Sequence, residues 1–227
     1  MNEQRLNKRL VQMGLASSRR KADELILQGR VAVNGKSVGQ LGSKVADTDE
    51  ISLDGKLGKQ RAPIYVAYYK PKGLVCSHVS QGRTETIFDQ LPKSFKSLKI
   101  AGRLDKDSEG LMILSSDGDF NYALTHPSGS KSKAYIVTTK EEITQAEIDK
   151  INAGIKLEDG TSNMNASLLK PTEIKIVMSE GKNRQIRRTL EAISKAVIRL
   201  QRVRIGDYSN PNLQPGKFEF IKPGDVI

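Results

Sequence analysis

Ala101-Gly102-Arg103-Leu104-Asp105-Lys106-Asp107-Ser108-Glu109-Gly110-Leu111-Met112-Ile113-Leu114-Ser115-Ser116-Asp117-Gly118-Asp119-Phe120 is the stretch around which the chain is organised. Short apolar segments, Leu98 to Ala101 and Leu111 to Leu114, flank a polar loop and are bounded by glycine. Apolar runs of that length closed by turn residues read as buried strands. The loop between them holds Arg103, Asp105, Lys106, Asp107 and Glu109. A carboxylate at the mouth of a buried strand, with an arginine two residues before it, can be held rigidly and still meet a ligand. Asp105 is therefore a candidate site residue.

The pattern alone admits more than one account of this loop. One is a charged hairpin connection in solvent. Another is a calcium loop, because Asp105, Asp107, Glu109 and Gly110 mimic the opening of an EF-hand. That motif needs a bidentate glutamate at its twelfth position. The residue there is Ser116, and Leu111 to Leu114 continue as strand, so calcium is rejected. The third account is an aspartate acting as nucleophile or general base.

Composition narrows the classes. The 227 residues suffice for one or two domains with a substantial core. Lys and Arg number 37 against 26 Asp and Glu, a net +11 that favours a polyanionic partner, nucleic acid before anionic membrane. No run of roughly eighteen apolar residues exists, and Met-Asn-Glu-Gln-Arg at the start has no apolar signal core, so no membrane role is expected. The single cysteine, Cys76, suits a reducing cytoplasm. With only His78 and His126 beside it, no Cys/His metal site of the usual kind is expected. Tryptophan is absent and aromatics are few, which argues against extensive base stacking along an open strand. No apolar surface stripe is evident, and a monomer is expected.

Residues 3–13 place Leu6, Leu10 and Met13 at helical spacing, with Arg5, Lys8 and Arg9 on other faces. A second helix is predicted from Ser17 or Ser18 as N-cap to Gly29, burying Ala22, Leu25 and Ile26. Arg19, Arg20 and Lys21 fill its first turn, where cations oppose the helix dipole at a cost of a few tenths of a kcal/mol each. They form either a solvated basic face or, together with free backbone N–H groups, a phosphate site; the second explains the lost stability. Arg30 to Val33 alternate and run into an Asn34-Gly35 hairpin turn, with a further strand near Glu50 to Leu53. Residues 1–36 carry eight basic and three acidic residues. Asp54 to Arg61 reads as a polar linker, and Pro63 opens a second domain.

In that second domain Ile64 to Tyr69 is a β-prone run ending at Lys70-Pro71-Lys72-Gly73, with Tyr65, Tyr68 and Tyr69 read as strand packing. Asn121 to Thr125 suggest a helical turn before His126-Pro127, and Lys131 to Val137 a strand led by a basic patch. Glu141 to Ile151 read as an amphipathic helix with Ile143, Ile148 and Ile151 inward. Ile174 to Met178 form another strand, and Ser179-Glu180-Gly181-Lys182-Asn183-Arg184-Gln185-Ile186-Arg187-Arg188 leads into a helix. Residues 182–204 hold eight basic residues against one acidic. A merely solvated helix face fits Arg188 better than Arg187.

Several of these segments resemble a known family. Gly102-Arg103-Leu104-Asp105, Ser108-Glu109-Gly110-Leu111 and Leu114-Ser115-Ser116-Asp117-Gly118-Asp119 look like the signature loop of RNA pseudouridine synthases of the RsuA/RluB/RluE/RluF branch. Lys70-Pro71-Lys72-Gly73, Lys133-Ala134-Tyr135, Gly181 to Arg188, Arg204 to Tyr208 and Leu213-Gln214-Pro215-Gly216 are similar to further family segments. Two departures occur: Thr189 replaces a usual methionine, and Ser194-Lys195-Ala196 shortens a glycine-aromatic turn. Residues 3–54 resemble the small RNA-binding module (αL) of ribosomal protein S-four. The resemblance implies an α+β protein: an S-four-like RNA-binding domain over residues 1–58, then a catalytic domain over 63–227 built on a mixed, mainly antiparallel sheet.

The activity implied is isomerisation of a specific uridine to pseudouridine in ribosomal RNA, free or in a pre-ribosomal particle. Substrate and product have the same composition, so no cofactor, metal or energy source is expected. Asp105 is the implied nucleophile, attacking either the sugar or the pyrimidine ring. Arg187 is the expected cationic partner that keeps it ionised, with Arg184 the alternative. Tyr135 is expected against the uracil face, and Arg103 at the space that a flipped-out base vacates. Arg5, Lys8, Arg9, Arg19, Arg20, Lys21, Lys182 and Arg188 are the expected RNA phosphate contacts. A non-catalytic RNA-binding protein of the same fold is the principal rival. A glycoside hydrolase using carboxylates among Asp105, Asp107 and Glu109 would not need the positive charge.

Overall fold

The computed structural model describes residues 3–80, 82–126 and 131–227. Pro127, which the sequence places after a helical turn over Asn121 to Thr125, lies outside the described residues. The chain forms two compact units, Met1–Pro63 and Ile64–Ile227.

The first unit runs β1 (Glu3–Arg5), α1 (Leu6–Gln12), α2 (Arg19–Leu27), β2 (Val31–Val33), β3 (Lys36–Ser37), β4 (Lys44–Ala46), β5 (Ile51–Leu53) and β6 (Lys56–Leu57). Leu6, Leu10, Ala22, Leu25 and Ile26 from the two helices pack with Val31, Val45 and Ile51 in one core. Ser18 is the N-cap of α2, its side chain accepting from Lys21 N at 3.1 Å. Asn34 (φ +49°) and Gly35 (φ +77°) both adopt the left-handed conformation that a tight hairpin of the natural twist requires. Two expectations are corrected. Residues 3–5 are strand rather than helix, pairing in register with Lys44–Ala46, which supplies hydrogen-bond partners that a helix start lacks. The predicted linker begins as a hairpin, because Asp54 and Gly55 also turn with positive φ and bring Lys56–Leu57 back onto Ser52–Leu53.

The second unit contains β7 (Tyr65–Lys70), α3 (Ile87–Gln90), β8 (Lys99–Ala101), β9 (Glu109–Ser115), α4 (Gly118–Thr125), β10 (Lys133–Thr139), α5 (Gln145–Ala153), β11 (Ile155–Leu157), β12 (Gly160–Ser162), β13 (Asn165–Lys170), β14 (Glu173–Met178), α6 (Gln185–Glu191), β15 (Val197–Ile205) and β16 (Phe218–Phe220). Among the described residues one sheet runs β13-β14-β10-β15-β9-β7-β16, with β8 also on β9. Its pairs are antiparallel except β9 with β15, which run parallel. The fold is α+β on a mixed, mainly antiparallel sheet.

Side chains alternate between the two faces of this sheet. One face carries Tyr68, Met112, Leu114, Tyr135, Val137, Ile176 and Leu200 into a core with Ile148 and Ile151 of α5 and Ile186 and Leu190 of α6. The other carries Ala67, Tyr69, Leu111 and Ile113 against Phe120 and Leu124 of α4 and the later Leu213 and Val226. Helix α5 starts at Gln145, not at the predicted Glu141. A reciprocal capping box sets that start: Thr144 N donates to Glu147 Oε2 (2.9 Å) and Glu147 N donates to Thr144 Oγ1 (3.3 Å).

Candidate active site

The parallel junction of β9 and β15 pairs Glu109 with Gln201 and Gly110 with Arg202. Out of this junction comes the loop from Gly102 to Ser108, joining β8 to β9. Gly110 sits at φ +108°, and a Cβ there would overlap the Arg202 carbonyl oxygen and lie 2.7 Å from the Arg202 nitrogen. Only glycine fits so close an approach of two backbones.

Two buried cations fasten the loop from beneath. Lys70, fully buried at the end of β7, donates from Nζ to Ser108 O (2.6 Å), Pro71 O (3.1 Å) and Lys106 O (3.4 Å). Arg202, 2% exposed, donates to Leu111 O (2.7 Å), Gly102 O (3.1 Å) and Arg103 O (3.4 Å). Gly73 N–H donates to Lys106 O, and Leu104 N–H to Cys76 Sγ at 3.4 Å. Burial lowers the Lys70 pKa, and the surrounding Cys76, Asp105, Asp107 and Glu109 oppose that shift. Neither Lys70 nor Arg202 was singled out as a site residue from the sequence. The available signal was a cation embedded in a β-prone run, where a solvated side chain is the ordinary expectation.

Asp105 emerges from this pinned loop with its side chain 35% exposed, and Arg184 Nη1 lies 3.8 Å from its Oδ2. It lines an open cavity of about 550 Å³ together with Arg103, Tyr135, Lys182, Arg184 and Leu200. The volume falls in the range of small-ligand sites, roughly 300–1,000 Å³. Tyr135 stands on β10, is buried, and lines the cavity with Leu104, Met178, Ile186 and Leu200 of the same core. A partly exposed carboxylate near a guanidinium, beside an aromatic ring and a cationic rim, can attack an electron-poor carbon of an anionic ligand.

The expected Asp105–Arg187 pair is corrected. Arg187 lies outside the cavity lining and turns to the neighbouring acid, its Nε 3.3 Å from Asp107 Oδ2 without hydrogen-bond geometry. Its Nη2 donates to Asp107 O (3.1 Å) and its Nη1 to Val197 O (3.2 Å). Arg184, the alternative, bridges both acids: it also donates to the two Asp107 oxygens at 3.0 and 3.1 Å. It sits at the N-cap of α6 with φ +47°, a left-handed conformation that costs a non-glycine residue roughly 1–2 kcal/mol.

Burial raises the Asp107 carboxyl, but the Arg184 hydrogen bonds and the charges of Arg187 and Arg184 outweigh it and hold the group below the usual range. A depressed carboxyl stabilises the fold above its unfolded value of about 4, and that contribution is lost as pH falls through the folded value. Arg184→Gln is therefore expected to lower the melting temperature at pH 7, with the difference from the parent narrowing as pH falls below about 4. A difference independent of pH would contradict this account of the pair.

The remaining basic positions differ in how they are engaged. Lys182 donates to Asp159 O (3.1 Å), and Arg188 forms a two-bond pair with the Asp159 carboxylate, both at 2.9 Å. Thr189, the departure noted above, is buried and donates to Ser162 Oγ (2.8 Å), which also accepts from Gln185. Ser194 takes φ +60° in the shortened turn, where a glycine would be unstrained. In the first unit Arg5, Arg19 and Arg20 are exposed, Lys8 is half-buried and Lys21 pairs with Glu24 at 2.7 Å. Arg9 is corrected: it is buried, donating to Asp47 O (3.0 Å), and is not displayed on an outer face.

No group of three or more His, Cys, Asp or Glu among the described residues is placed to hold a metal. No helix among them is long and apolar enough to cross a membrane.

Comparison with known proteins agrees with this architecture. Residues 64–192 match the model of the RNA pseudouridylate synthase family, and residues 4–51 match the S4 domain. Ribosomal large subunit pseudouridine synthase B of Bacillus subtilis is 36% identical over 98% of this chain and 94% of its own length. The protein of the same description from Yersinia pestis is 36% identical over 93% of this chain and 70% of its own. A pseudouridylate synthase crystal structure superposes with a TM-score of 0.70 at 28% identity, covering 97% of both chains. A fold with this loop at its centre, a matching family model and relatives of this similarity lead to one conclusion: the chain belongs to the RNA pseudouridine synthases, a family of isomerases, and carries an N-terminal S4 domain.

Proposed function

We propose that the protein isomerises one uridine of ribosomal RNA, with Asp105 as the nucleophile and the target base turned out of its stack into the cavity. The meeting of Asp105, Tyr135 and Arg184 around one cavity is the observation that carries this. The relatives are named as large-subunit enzymes, which favours large-subunit RNA as the substrate.

The reaction breaks the bond between ribose C1′ and uracil N1. The base turns, C1′ joins C5, the C5 proton leaves and N1 takes up a proton. Asp105, adding to the sugar or to the ring, holds one half while the base reorients. The Arg184 guanidinium lies beside that carboxylate and faces the charge that develops there. Tyr135 lies against the uracil, with its hydroxyl near the C5 proton, and Arg103 supports the gap left in the RNA. Extruding a base costs a few kcal/mol, offset by phosphate contacts from the cationic rim and from Arg5, Arg19 and Arg20. In this reading residues 1–58 grip RNA, residues 63–227 perform the chemistry, and the protein acts as a monomer in the cytoplasm.

The test is tritium release from large-subunit RNA transcribed with uridine labelled at C5, followed by mapping of the modified position. Release with a single new pseudouridine is expected. Tight binding of the RNA without release would overturn the reading in favour of a non-catalytic RNA-binding protein.

A further inference from the structure

A second cavity, of about 340 Å³, opens on the sheet face opposite Asp105. The alternation of side chains fixes its side. Tyr69 and Leu111, which line it, belong to the core beneath α4, whereas Tyr135 and Leu200 of the Asp105 cavity belong to the core beneath α5 and α6. The two openings therefore lie on opposite faces of the same sheet.

The lining is selective in charge. Lys175 of β14 and Arg202 and Arg204 of β15 contribute cations, Gln201 and Asn210 amides, and Leu111 and Leu213 apolar surface, with no carboxylate among the lining residues. Lys175 is exposed and has no ion-pair partner among the described residues. Two acids of neighbouring strands are already engaged: Glu109 with Arg199, and Glu219 with Tyr208 and Asn210. A concave site with apolar walls, two amides and no carboxylate in its lining, and with Lys175 left to meet a ligand, suits a nucleotide, its base against the leucines and its phosphate at Lys175.

We propose that this back-face cavity binds a nucleotide of the RNA substrate lying outside the segment that enters the Asp105 cavity, so that the RNA contacts both faces of the sheet. This rests on the RNA-acting reading above, and its occupant is fixed by charge complementarity.

The test uses the full-length protein and large-subunit RNA transcribed with 4-thiouridine. Irradiation is expected to cross-link the RNA to peptides spanning residues 201–213 as well as to those around the Asp105 cavity. Lys175→Glu is expected to weaken RNA binding about five- to tenfold near 0.1 M salt and to reduce the salt slope by about one. Turnover at saturating RNA should be unchanged. Lys150→Glu, the same charge change on the exposed side of α5, measures the effect of net charge alone. The proposal is overturned if no cross-link falls within 201–213, or if Lys175→Glu and Lys150→Glu behave alike. Failure here with tritium release intact leaves the catalytic reading standing. A 201–213 cross-link without tritium release would remove the chemistry and keep this contact.

Discussion

Replacing Asp105 by alanine is expected to abolish pseudouridine formation while leaving RNA binding within a few-fold of the parent. The loss should reach about 10⁴-fold or more, the scale seen when a nucleophile is deleted from a site whose binding groups survive. The fold should tolerate the change, because Asp105 is one-third exposed and its contact with Arg184 is long at 3.8 Å. The loop around it is held through backbone carbonyls by Lys70 and Arg202 and not through the Asp105 side chain. Arg184 would keep Asp107 as its partner. Asp105→Asn separates charge from shape, retaining the volume and removing the nucleophile. Tritium release with both variants, beside a filter-binding measurement, decides the matter. Turnover persisting in Asp105→Ala would remove the aspartate from the chemistry.

Gly110→Ala is the stability counterpart. The added methyl has to displace backbone, not a flexible side chain, since the atoms it would meet are the Arg202 nitrogen and carbonyl oxygen. A positive φ adds strain of about 1–3 kcal/mol and overpacking a similar amount, so a loss of roughly 2–6 kcal/mol is expected. For a domain of this size each kcal/mol shifts the melting temperature by roughly 2–4 °C. A fall of about 4–24 °C in a thermal melt follows, together with lost activity, because β9 cannot separate from β15 without releasing the Arg202 bonds to the loop. A variant with the parent melting temperature would show that the junction is looser than drawn.

Much of the architecture is legible from residue pattern alone. Glycine-bounded apolar runs on either side of a charged loop place Asp105 at the end of β8 and the start of β9, where the structure has it. Asn34-Gly35 announces its hairpin, and Ser18 its helix. The Arg187 pairing with Asp105 gives way to its alternative, Arg184, for a geometric reason. Each residue turns a helix by about 100°, so which arginine reaches Asp105 depends on where α6 begins. That start is set by a left-handed Arg184, which no local propensity announces. Arg9 was recoverable: it lies three residues after Leu6 and four before Met13, on the stripe that both those buried residues define. Strand β13 was hidden because adjacent Leu168 and Leu169 break the alternation, both partly exposed at the edge of the sheet. Lys70 and Arg202 were illegible as loop fasteners because their partners are carbonyls far along the chain, and carbonyls leave no trace in side-chain pattern.

The single parallel pairing in the sheet has a bearing on how the protein is made. Glu109 and Gln201 meet across more than ninety positions of chain, and closing so long a circuit is slow compared with forming a hairpin. Until the later strand has been synthesised and delivered, Arg202 is absent from beneath the Gly102–Ser108 segment. The loop is thus completed late, and a truncated product that stops short of β15 would carry every acid of the loop with only the Lys70 side of its fastening in place.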